Sequence, residues 1–297
     1  MIDILFESTP LLYAGVFFFG LIIGSFLNVI ILRVPRLLEY DWRCQCRELL
    51  ELKVEEEDRE EGEDGQERPP GIVFTRSHCT HCGHSIHARE NIPLISYLLL
   101  RGRCSSCKNR ISPRYPLVEL GTAVLFTITI WHFGPGVPGL TALLLTAFLI
   151  ALTGIDIDHQ LLPDNMTLPL LWGGILINFW SVHTDLASSV IGAMAGYLAL
   201  WSIYHLFRLL TGKEGMGYGD LKLLAALGAW MGWQILPLIV LLSSVVGAVV
   251  GLILMGAGKL KRDKPMPFGP FIAAAGWIAL IWGERIMDFY TRSGGFG

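Results

Sequence analysis

The sequence predicts an all-α polytopic membrane protein of about eight transmembrane helices, and three observations lead there. Hydrophobic residues make up 52% of the 297 positions and charged ones only 16%, more apolar surface than a globule could hide behind an ordinary charged exterior. Eight apolar runs approach the roughly 20 residues that cross a hydrocarbon layer of about 30 Å. Lysines and arginines gather in alternate connections between those runs.

The first run, near 11–32, follows Asp3 and Glu7 rather than lysines and is too long for a cleavable signal peptide. Residues 1–32 are therefore expected to remain as the first transmembrane helix. Residues 33–115 form a polar loop domain, and 116–297 hold the other runs, near 116–133, 138–155, 167–183, 187–207, 220–233, 235–257 and 267–289. Gly20 with Gly24, Gly192 with Gly196, Gly228 with Gly232 and Gly247 with Gly251 have the small-xxx-small spacing of closely packed membrane helices. Gly134-Pro-Gly-Val-Pro-Gly139 satisfies a dinucleotide-binding pattern, but it lies in a short link without the strand and helix such a site needs.

Of 23 Lys and Arg, 14 lie between Arg33 and Arg114. Arg208, Lys213 and Lys222 mark a second basic loop, and Lys259, Lys261, Arg262 and Lys264 a third; Arg285 and Arg292 run against the trend. The links 134–138, 183–186 and 231–234 contain no Lys or Arg, so the basic loops are placed in the cytoplasm and the chain in the cytoplasmic (inner) membrane. A net charge of −3 without a basic stripe argues against nucleic acid.

Two aspartates stand at the ends of apolar runs. Asp156 lies in Thr-Gly-Ile-Asp-Ile-Asp-His-Gln-Leu-Leu-Pro-Asp and Asp220 in Gly-Met-Gly-Tyr-Gly-Asp-Leu-Lys. Ionisable groups at membrane depth are costly and usually face a cavity or a partner. Two crossings separate these aspartates, so both belong at the cytoplasmic end although they stand 64 positions apart in sequence. Asp158 and Asp164 fit blander roles; Asp164, after Pro163, can cap the next helix. Gly215, Gly217 and Gly219 let the backbone before Asp220 bend and approach a neighbour closely. Lys222 either lowers the pKa of Asp220 or extends to the headgroups.

Cys79-x-x-Cys82 and Cys104-x-x-Cys107, separated by 21 residues, have structural zinc spacing. The pairs echo one another as two zinc knuckles would, each with an Ile four residues after its second Cys. A reducing cytoplasm disfavours disulfides, and no βαβ context supports a redox pair. His78, His81, His84 and His87 could each offer a ligand, but four thiolates complete the shell; Cys44 and Cys46 are read as free thiols. The polar loop is thus a small zinc-binding cytoplasmic domain.

Gly217-Tyr218-Gly219-Asp220 resembles the Gly-x-Gly-Asp signature of intramembrane aspartyl proteases, and Asp156 with Pro163-Asp164 resembles the first catalytic segment of the type IV prepilin peptidases. Gly24-Ser25-Phe26-Leu27-Asn28-Val29 with Arg33 and Pro35 is similar to that family's first-helix motif. The resemblance implies cleavage of short basic leaders, after Gly, from type IV prepilins or type II secretion pseudopilins that enter laterally from the bilayer. Asp156 and Asp220 would share one proton, one activating water and the other hydrogen-bonding the carbonyl oxygen, with no need of a metal or covalent intermediate. Gly217, Gly219, Lys222 and Pro163 would support them.

The resemblance also implies methylation of the new amine with S-adenosylmethionine. Its candidate residues are Gly102 and Arg103, where relatives often carry Gly-Lys; Asn28 and Glu119 either line this site or make interhelical hydrogen bonds. The acidic run 51–67 reads as a solvated loop, or as an attractor for basic leaders. An ion- or metal-coupled transporter, the alternative class, would carry midplane carboxylates in inverted repeats, and none is visible. A peptidase without methyl transfer is the other alternative, set against the presence of the cysteine loop.

Overall fold

A computed structural model describes residues 9–49, 69–72, 77–79, 81–87, 90, 92–213, 215–258 and 266–293. The acidic run 51–67 and the basic loop 259–264 lie outside them. Helices α1 (Thr9–Leu49), α2 (Ile95–Leu99), α3 (Arg114–Phe133), α4 (Val137–His159), α5 (Asp164–Asn178), α6 (Leu186–Thr211), α7 (Tyr218–Met231), α8 (Leu236–Gly256) and α9 (Gly269–Ser293) account for most of the described chain. Among the described residues there are no strands, only two isolated β-bridges. The chain divides into two compact units, one spanning Phe17–Val124 and the other made of Leu125–Gly297 with the start of the chain.

In the first unit α1 differs from expectation. It does not end near residue 32 but continues through Pro35 to Leu49. Its 41 residues extend about 60 Å, about twice the hydrocarbon thickness, so the charged stretch from Arg33 onward continues the helix into water. Gly20 and Gly24 bring α1 against α3: a methyl on Gly20 would sit 2.5 Å from the Cα of Ala123, and one on Gly24 2.6 Å from that of Glu119.

The second unit is organised around α7. Leu221, Leu223, Leu224, Ala225, Ala226, Leu227, Ala229 and Trp230 are all buried, so this helix is apolar on every face and enclosed by protein, not lipid. Helices α5, α6 and α9 pack around it. Gly192 of α6 and Gly228 of α7 meet backbone to backbone, so that a methyl on either would collide with the other's carbonyl. Gly247 and Gly251 make only ordinary contacts. The far end of α7 is tied by side chains: Asn178 donates to the carbonyls of Ala229 and Trp230, both at 2.9 Å, and the Ser189 hydroxyl donates to Ala229 at 2.6 Å.

Among the described residues, five helices are long and apolar enough to cross a membrane: Pro10–Leu49, Arg114–Phe133, Val137–His159, Leu186–Thr211 and Trp233–Gly256, the fifth including a short 3-10 turn before α8. The eight expected runs all fall on helices. The run near 167–183, however, is helical only to Asn178, and α5 and α7 have 15 and 14 residues, short of a full crossing. Exposed Phe18 and Ile22 give the first unit, and exposed Leu140, Trp172, Leu198 and Leu252 the second, an apolar surface suited to lipid.

Candidate functional site

Asp156 lies in the last turn of α4, which ends when Gln160 takes the left-handed conformation, φ 51°, and bonds back to the Asp156 carbonyl at 2.9 Å. Asp220 is the third residue of α7, after Gly217 in the N-cap position. Both belong to the same unit, and both are buried, 5% and 6% exposed. The backbone amides of Gly269, at the start of α9, and of Gly217 lie near the Asp156 and Asp220 carboxylates respectively, and the Asp220 N–H donates to the Gly217 carbonyl at 3.2 Å. The two carboxylates are close enough to interact electrostatically. Asp156 Oδ2 and Asp220 Oδ1 are the buried side-chain oxygens without a hydrogen-bond partner among the described residues. Buried polar atoms are normally paired, and exceptions concentrate where a reactant is to be received.

The Leu162 side chain packs against both Gly219, beside Asp220, and Gly269, beside Asp156. A methyl on Gly219 would come within 2.6 Å of the Leu162 Cβ, and one on Gly269 within 3.1 Å of its Cδ1 and 2.6 Å of Asp156 Oδ2. Neither glycine has a positive φ, so both are needed for close approach and not for a special backbone turn. Gly217 faces no such crowding. Pro163 occupies the N-cap position of α5, and its carbonyl accepts from Met166 and Thr167. Two expectations change here. Asp164 makes no cap bond, because as the first residue of α5 its side chain turns outward and accepts from Lys222 at 2.5 Å. Lys222 accordingly clasps α5 instead of reaching for headgroups.

Sequence reasoning missed Leu162 and Gly269. The Met-Pro-Phe-Gly-Pro stretch at 266–270 was the available signal: a glycine between prolines at a helix start, without a turn to explain it.

In the other unit, Cys79, Cys82, Cys104 and Cys107 have their sulfurs within 4.8 Å of one another, and none is in a disulfide. The surrounding backbone repeats. Cys79 N–H donates to the His84 carbonyl and Cys104 N–H to that of Asn109; Gly83 donates back to Cys79 and Lys108 to Cys104. Gly83 at φ 70° and Lys108 at φ 59° are left-handed at equivalent positions, and Ile86 and Ile111 each close a knuckle, donating to Ser77 and Gly102. Backbone N–H groups of His81 and Cys82 bring the Cys79 thiol down to about 7. Ligating Zn–S bonds of about 2.3 Å place tetrahedral sulfurs about 3.8 Å apart, and Cys79 and Cys107 lie 3.9 Å apart. The cluster fits a four-thiolate metal site. His84 instead faces Glu90, at 3.5 Å.

Glu119 and Asn28 serve the same unit. Glu119, buried, accepts the Leu94 amide at 2.7 Å and is also reached by Ser25; Asn28 donates to the Tyr115 carbonyl at 3.1 Å. Gly102, at φ 66°, packs against the ring of Tyr97, and Arg103 is exposed.

Comparison with known proteins follows this division. Residues 18–133 match the Bacterial Peptidase A24 N-terminal domain, and residues 143–252 the Type IV leader peptidase family. A protein of Aeromonas hydrophila named prepilin leader peptidase/N-methyltransferase is 54% identical over 97% of both chains. Proteins of the same name from Stutzerimonas stutzeri and Pseudomonas aeruginosa are 53% and 50% identical, over 92% and 93% of this chain and 91% and 92% of their own. No solved structure matches the chain.

Proposed function

Because the chain belongs to the type IV leader peptidase family, we propose that it cleaves basic leader peptides from type IV prepilins or pseudopilins at the cytoplasmic membrane face and N-methylates the residue so exposed. The observation that carries the proteolytic reading is the pair of buried, unpartnered carboxylate oxygens delivered by segments 64 residues apart.

Two adjacent buried carboxylates hold one proton between them, because both cannot ionise at short range without a large cost. The ionised member takes a proton from water, and that water attacks the scissile carbonyl. The protonated member donates a hydrogen bond to the carbonyl oxygen as negative charge builds there. The backbone amides of Gly269 and Gly217, one beside each carboxylate, favour its ionised form. Leu162 sets the spacing of the segments bearing them. Lys222 acts at a distance, holding the start of α5 against α7 through Asp164. The gathering of Lys and Arg in the loops on this side of the apolar runs supports a cytoplasmic position for this end of the second unit.

Cys79, Cys82, Cys104 and Cys107 would hold zinc, whose contribution is to fold the loop, since four thiolates leave no position for water. S-adenosylmethionine supplies the methyl group. Gly102, Arg103, Asn28 and Glu119 are assigned to its site: Glu119 secures Leu94 at one end of the hairpin that Gly102 closes at the other.

The test is to incubate the purified protein with a prepilin and labelled methyl donor and to read product masses. Loss of the leader and a gain of one methyl are expected. Full cleavage by Asp156→Asn or Asp220→Asn protein would end the dyad assignment.

A further inference from the structure

The hairpin around α2 exposes a large apolar surface for its size. Leu98 and Leu99 are 65% and 78% exposed, and Ile92 and Ile95 are also exposed, on a segment outside the long apolar runs. The hairpin is a built structure. Ile95–Leu99 is helical, Arg101 and Gly102 reverse the chain with φ of 50° and 66°, and the Gly102 amide bonds back to Tyr97 at 2.8 Å. Its apolar side chains are therefore presented outward by a fixed turn.

Its depth follows from α3. Leu94 N–H donates to Glu119, which lies five residues after Arg114 on a helix apolar enough to cross the bilayer. Five residues advance about 7.5 Å along a helix axis, which puts the hairpin beside the boundary between headgroups and acyl chains. Leu117, Leu120 and Val124 of α3 are likewise exposed apolar residues of the same unit. The charges agree. Between Ile92 and Arg114 the chain carries Arg101, Arg103, Lys108, Arg110 and Arg114 and no carboxylate. Leu100, Arg101, Arg103, Cys104 and Lys108 line a cleft of about 280 Å³ next to the exposed leucines.

We propose that the α2 hairpin is a membrane-interface anchor, with Leu98 and Leu99 inserted among the upper acyl chains and Arg101 and Lys108 set against anionic lipid headgroups. Apolar residues flanked by cations are held at this boundary by acyl burial and attraction to anionic lipid together. Since Cys104 follows the hairpin directly, the anchor fixes the cysteine module on the bilayer surface. The proposal rests on the membrane reading of α1 and α3 and is independent of the catalytic assignments.

The test uses the full chain in phosphatidylcholine vesicles containing phosphatidylglycerol, with one fluorescent amino acid at Leu99 or, as a control, at exposed Ser106. Lipid brominated near the top of the acyl chain should quench the Leu99 probe at least about threefold more than aqueous iodide, with the reverse order at Ser106. Stronger quenching by iodide at Leu99 overturns the proposal, as does protection from both quenchers, which would mean that substrate or a second copy covers the pair. Trypsin should cut after Arg101 about tenfold faster when Leu98→Gln and Leu99→Gln are combined, and about threefold faster when phosphatidylglycerol is omitted. Unchanged rates in both arms also overturn it. Should the double variant fail to fold, the probe in the otherwise unaltered chain decides.

Discussion

The aspartate site and the cysteine module are both made of two short motifs brought together from distant stretches, yet they are assembled in opposite ways. Each cysteine pair closes its own knuckle through bonds between residues at most nine positions apart, and the two knuckles repeat bond for bond. The aspartate pair has no such local closure. Asp156 and Asp220 are placed by Leu162, by Gly269 from a third stretch, and by the packing of α7 among its neighbours. Local assembly tolerates change elsewhere, whereas assembly by packing makes the site depend on many residues that do no chemistry.

The largest expected effect tests the aspartates themselves. Asp156→Asn or Asp220→Asn should lower cleavage by about 10³-fold or more while membrane insertion is unchanged, measured by product mass in detergent. Next comes the metal. Cys104→Ser should leave the purified protein without bound zinc by elemental analysis, because a thiolate ligand is lost and binding is coupled to folding of the loop. In the unaltered protein protons compete with zinc for thiolates, so affinity should fall as pH is lowered through about 7, where Cys79 titrates.

Gly269→Ala sharpens the contrast. Its methyl would press on Asp156 Oδ2, and a displacement of about 1 Å costs about 10²-fold. The expected loss is in kcat with KM little changed, together with a shifted pH profile, and zinc content should stay normal. Leu162→Ala should act in the same direction more weakly. The smallest effect belongs to Lys222→Gln, which breaks a partly exposed ion pair worth less than about 1 kcal/mol. A small fall in melting temperature with nearly full cleavage is expected; severe loss of cleavage would mean that Lys222 acts on Asp220 directly.

The same contrast governs what could be read from the sequence. Ligand spacing and the repeated Ile made the cysteine module legible almost to its bonds, because its geometry is local. The aspartates were legible as residues, since carboxylates bordering apolar runs stand out, and crossing parity brought them to one end. Leu162 and Gly269 were not, because nothing in a Leu or a Gly states which distant atom it will touch. Hydropathy marked α5 and α7 as crossings, but it cannot distinguish a run buried in protein from one facing lipid, as α7 shows by being buried all round. The acidic run 51–67 lies outside the described residues.

The ties at the far end of α7 carry a consequence for Asp220. The helix is a stiff rod of about 21 Å, with the carboxylate near one tip and Asn178 and Ser189 holding the other. Pivoting such a rod by about 3° swings its tip through about 1 Å, the misplacement that disables catalysis. Damage at Asn178, at the opposite end of α7 from the chemistry, would therefore register first as slow hydrolysis in a protein that still folds.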